Sequence, residues 1–94
     1  MPINELLIHA KEYVYNDLNA EELVMININT GKYVSLNETG KLIWQLTEEP
    51  VTFDTIVAEF LKIYQISEEA CRKELEPFIE NLLEKKIIVN ADQR

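Results

Sequence analysis

A chain of 94 residues can bury one modest hydrophobic core and has no material for a second, so residues 1–94 read as a single domain. Hydrophobic residues are 47% and charged residues 28%, with two glycines and three prolines, a globular balance that excludes a disordered tail. Seventeen acidic against nine basic residues give a net charge of −8, a field that repels phosphate backbones and anionic bilayers and argues against nucleic acid or membrane as partners.

The N-terminus lacks the basic region and apolar core of a signal peptide, and its segment around His9 is expected to be loose. Apolar runs such as Ile87-Ile88-Val89 are far too short to span a bilayer, so the expected location is the cytoplasm. Before Asn37 the apolar pattern is that of strands: Glu12-Tyr13-Val14-Tyr15, Leu23 to Ile28 and Tyr33-Val34-Ser35-Leu36 are short and rich in β-branched or aromatic residues. Asp17-Leu18-Asn19-Ala20-Glu21 has loop composition, and Asn29-Thr30-Gly31-Lys32 supplies a hairpin turn in which Gly31 can take the left-handed conformation. A three-stranded antiparallel sheet in the order one, two, three follows.

After Leu36 the period changes to that of helices. Asn37 is a good N-cap, with Glu38 in the first turn and Leu42, Ile43 and Leu46 on one stripe. Past Pro50, Thr52 caps a second helix carrying Phe53, Ile56, Val57, Phe60, Leu61 and Tyr64. Ser67 caps a third, on which Cys71, Leu75, Phe78, Ile79, Leu82 and Leu83 form a stripe wide enough to meet two surfaces. Pro77 should kink or bulge that helix, and Ile87 to Val89 suggest a short terminal strand. The fold class is α+β, a three-stranded sheet followed by three helices, close to a winged helix-turn-helix.

Chemistry is poorly supplied. A nucleophile would need Cys71 or a serine beside a base, yet the one histidine is His9, and Cys71 sits on a helix stripe where a small core residue is expected. One His, one Cys and scattered Glu lack the spacing of a metal site, and no glycine-rich phosphate loop is present. Neither catalysis nor a cofactor is expected. The winged-helix layout raises DNA binding as the alternative function, that of a transcriptional regulator, but the third helix is too acidic to approach phosphates.

The run from Val24 to Trp44 resembles the hallmark stretch of the PqqD-like family, most closely in Thr30-Gly31-Lys32-Tyr33 and in Leu36-Asn37-Glu38-Thr39-Gly40 followed by Ile43-Trp44. Pro50 to Tyr64 and then Leu75, Phe78, Ile79 and Leu82 are similar to its remaining two helices, so the resemblance covers about residues 10–90. It implies a non-catalytic recognition element for ribosomally synthesised precursor peptides, standing alone in coenzyme PQQ and lasso-peptide pathways, with the hairpin closer to the lasso-peptide members. The implied partners are a precursor leader peptide and a leader peptidase or other modifying enzyme. In that family the leader adds as a strand beside the third strand and packs against the third helix. Carried onto this sequence, the implied site is Lys32, Tyr33, Val34, Ser35 and Leu36 with Cys71, Leu75 and Phe78. Two departures stand out: Lys86 occupies a position where a helix-ending glycine is common, and Pro77 lies inside the third helix.

Residue alternation is compatible with that site. An edge strand with free backbone donors and acceptors is a template for another strand. Alternation sends Val34 and Leu36 to the core and turns Tyr33 and Ser35 to the other face, leaving their backbone groups able to bond a peptide.

Overall fold

The computed structural model describes residues 5–19 and 21–93. In chain order it contains β1 (Leu7–His9), β2 (Tyr13–Asn19), β3 (Glu22–Asn27), β4 (Tyr33–Leu36), α1 (Glu38–Leu46), α2 (Phe53–Ile63), α3 (Glu68–Glu84) and β5 (Ile88–Asn90), followed by a 3-10 turn at Ala91–Gln93. The main sheet is antiparallel in the order β2-β3-β4, as the sequence implied, and β1 pairs with β5 in a separate two-stranded ribbon.

Alternation sets the faces of the main sheet. Leu23, Met25 and Leu36 point inward and are buried, while Val14, Ile26 and Tyr33 lie opposite one another on the outer face. The hairpin between β3 and β4 closes as expected: Gly31 has φ 74° and donates to the Asn27 carbonyl at 2.8 Å, and the Asn27 side chain accepts from the Asn29 and Thr30 amides.

Two sequence expectations need correction. The segment around His9 is not loose: it forms β1, and the amides of Leu7, His9 and the following Ala10 donate to the carbonyls of Val51, Thr47 and Ile87 at 2.7, 2.9 and 2.9 Å. Residues 17–19 are not loop but the end of β2, with a register shift between Asp17 and Asn19. The reason lies in α1, where the nearly buried Lys41 ammonium donates to the Asp17 carboxylate and the Asn19 carbonyl, giving turn-prone residues a partner that only the folded chain supplies.

All three helices start on the caps read from sequence. Asn37, Thr52 and Ser67 accept from the amides of Gly40, Thr55 and Ala70. Gly40 lets α1 approach β4, since a Cβ there would stand 3.1 Å from the Leu36 Cβ. The three helices bury Ile43 and Trp44, then Phe53, Ile56, Val57 and Phe60, then Cys71, Leu75, Ile79 and Leu82, in one core with the sheet and with Ile87 and Ile88. Pro77 does not interrupt α3, which is α-helical from Glu68 to Glu84. Pro77 is exposed, so the Lys73 carbonyl that it leaves without an amide donor is on the solvent side.

The end of α3 explains the Lys86 departure. Lys86 takes φ 60° and donates to the Leu83 carbonyl, while Ile87 donates to that of Leu82, both at 3.0 Å. This is a Schellman cap with lysine at the position where glycine carries no Cβ penalty, and the buried pair Leu82 and Ile87 completes its apolar contact. Lys86→Gly should therefore raise stability by about 1 kcal/mol, the relief of left-handed strain exceeding the entropy cost of glycine. Urea unfolding of the two proteins checks this, and a loss of stability would show the cap to be held by the lysine side chain instead.

Candidate functional site

The open edge of β4 has a definite hydrogen-bonding parity. The Asn27 amide donates to the Lys32 carbonyl at 2.9 Å, so Lys32 faces β3, and the register Met25 to Val34 and Leu23 to Leu36 puts Val34 and Leu36 in the same phase. The amides and carbonyls of Tyr33 and Ser35 therefore point away from β3, out of the sheet. They are the free donors and acceptors of this edge. The Tyr33 side chain is 75% exposed on the outer face, and the Ser35 hydroxyl donates to Glu22 at 3.1 Å.

On the inner face the strand is incompletely covered. Val34 and Phe78 are only half-buried, although both pack against the core. At the α1 end of β4, a cavity of about 220 Å³ is lined by Thr39, Phe60, Tyr64, Ile66, Cys71, Glu74 and Leu75. That is smaller than the roughly 300–1,000 Å³ of a small-molecule pocket and suits a single side chain. Its walls are mostly apolar: Phe60 stacks on Tyr64 with centroids 5.8 Å apart, and Ile66 is about half exposed at the rim. Tyr64 donates to the Glu38 carboxylate at 2.9 Å, and this bond to an anion raises its phenol pKa. Burial likewise raises that of the Cys71 thiol.

At the other end of the strand a larger opening of about 590 Å³ lies beneath the hairpin, lined by Asn27, Asn29 and Thr30 on one side and by Leu83, Lys86 and β5 on the other. The two cavities fix the relation of strand to helix: β4 begins beside the end of α3 and finishes beside its start. No residue of β4 itself lines either cavity; the strand packs on β3 and α1.

The structure thus places Cys71 and Leu75 in the lining of the smaller cavity, Tyr33 and Ser35 exposed on the edge strand, and Val34 and Phe78 half-buried against the core. Lys32 lies exposed at the hairpin end, and Leu36 is core, at 5% exposure. Sequence reasoning missed Thr39, Phe60, Tyr64, Ile66 and Glu74. The available signal was Ile66, an apolar residue left over in the connection between two helices. Among the described residues, no group of three or more His, Cys, Asp or Glu could hold a metal ion, and no helix is long and apolar enough to cross a membrane.

Fold and edge together define a winged helix-turn-helix-like α+β domain whose main sheet ends on β4. The chain belongs to the PqqD family: the family model described as coenzyme PQQ synthesis protein D matches residues 22–88. It is similar in structure to TbiB1, solved in complex with the TbiA(beta) leader peptide, at 25% identity and a TM-score of 0.76, over 86% of this chain and 93% of that one. No curated protein matches the chain in sequence.

Proposed function

We propose that this chain captures the leader segment of a ribosomally synthesised precursor peptide as a strand added to β4, and presents it to separate modifying enzymes such as a leader peptidase, a cyclase or a radical enzyme. The domain itself is a binding module, without catalytic step or cofactor. The observation that carries this reading is the outward-facing amide and carbonyl pairs of Tyr33 and Ser35, with Val34 and Phe78 only half-covered, in a chain whose structure is similar to TbiB1 solved with a leader peptide. In this reading an added strand satisfies those backbone groups and turns alternate side chains toward α3.

The winged-helix layout is also that of many DNA-binding regulators. Here α3 carries Glu68, Glu69, Glu74, Glu76, Glu80 and Glu84, and its Arg72 is held by Asp54 and Glu68 at 2.8 and 2.9 Å. Six carboxylates outweigh the remaining Lys73, Lys85 and Lys86, so the helix presents a net repulsive surface to a phosphate groove.

Titration with synthetic leader peptides of ribosomally synthesised precursors, among them the TbiA(beta) leader solved with TbiB1, tests the reading. Amide shifts should concentrate at residues 32–36 and 71–79, and a pattern centred on α2 or β2 would refute strand addition on β4. Phe78→Ala is the side-chain probe, because Phe78 is half-buried whereas Leu75, at 4% exposure, belongs to the core and its truncation would damage the fold. Phe78→Ala should weaken binding by about 2 kcal/mol, roughly thirtyfold, with the domain still folded.

A further inference from the structure

The flank of α3 that carries Phe78 changes sign of charge from one end to the other. Glu74, Phe78, Asn81 and Lys85 follow one another on α3 at spacings of four, three and four, which places them on one side of the helix. Glu74 lines the small cavity at the Thr39 end, and Lys85 caps the helix at the hairpin end. Both are exposed, and neither meets a counter-charge among the described residues. On the strand side the polarity repeats: Lys32 precedes β4 at the Lys85 end, and Glu38, bonded to Tyr64, follows it at the Glu74 end. Glu5 and Glu12 also line the hairpin-end cavity, but Glu12 leads into β2, two strands away from the open edge. Arg72 is turned to the other flank of α3, over the Phe53 ring at 5.7 Å.

Resting on the leader-binding reading, we propose that these charges set which leader is accepted: one with a basic side chain at the Glu74 end, an acidic one at the Lys85 end, and an apolar anchor between them. The spacing follows from geometry. Eleven helical residues span about 16 Å, which an extended peptide covers in about five residues. Side chains that face α3 recur every second residue, so the two charges of the peptide stand four or six positions apart.

Selection of a phage-displayed library of random linear peptides on the folded protein tests this. Enriched peptides should share the basic and acidic pair at that spacing, and selection on a variant carrying Glu74→Lys with Lys85→Glu should reverse its order. Because these pairs are exposed, each single reversal should weaken a selected peptide about fivefold, and less at high salt. Peptides that lose binding on Ser35→Pro yet show no charge pattern, or keep the same order on both proteins, would overturn the charge rule alone. Peptides indifferent to Ser35→Pro would overturn the strand-addition reading with it.

Discussion

Ser35→Pro should abolish leader capture while leaving the sheet intact. The Ser35 amide points out of the sheet, since Val34 and Leu36 of β4, in phase with Lys32 before it, are the residues that face β3. Proline there removes no ladder bond, and an edge strand tolerates it at such a position. For an incoming strand the change is severe: one donor is lost, its partner on the peptide is left unsatisfied, and the ring occupies the space where the new backbone must lie. Together these should cost about 3 kcal/mol of binding, roughly a hundredfold. The lost hydroxyl bond to Glu22 is exposed and contributes little to stability. Val34→Pro is the control, because it removes an amide that faces β3 and should destabilise the sheet itself. Calorimetric titration with the leader peptide, beside thermal melts of both variants, reads the contrast. Wild-type affinity in Ser35→Pro would place the peptide elsewhere.

The strands of the main sheet, the three helices and their caps were legible because each depends on local period and local chemistry. β1 was not, because three residues carry no period, and its partners Ile88 to Asn90 lie at the opposite end of the chain. The end of β2 was hidden for a related reason: Asp17 and Asn19 are turn residues until Lys41 reaches them. At the site, the strand and the helix stripe could be read from sequence, but the direction of each amide could not. One hydrogen bond, from Asn27 to Lys32, decides that Tyr33 and Ser35 face outward. Phe60 and Tyr64 could be read as one apolar helix face, and Phe60 is buried; only the packing of α2 on α3 makes them cavity walls as well.

Trp44→Ala should be among the most destabilising single changes in the chain, and it should act on the fold before it acts on binding. Trp44 is 3% exposed and lies where α1 meets β1 and β2. His9 packs on it with ring centroids 4.0 Å apart, and Tyr13 and Tyr15 meet it edge-on at 6.4 and 5.8 Å. Its indole Nε1 is buried without a hydrogen-bond partner among the described residues, so the side chain stabilises through packing and area. Truncation leaves a cavity among rings that cannot collapse onto alanine, at a cost of about 3–5 kcal/mol. A domain of this size commands only about 5–10 kcal/mol in all, so the variant should lose much of its cooperative unfolding transition. The cluster stands at the β2 side of the sheet, whereas the candidate groove lies along β4, with β3 between. Where Trp44→Ala remains folded, at low temperature or with an osmolyte, its affinity for the leader peptide should match that of the parent. Parental stability combined with lost peptide binding would make Trp44 part of the binding surface and refute its role as core.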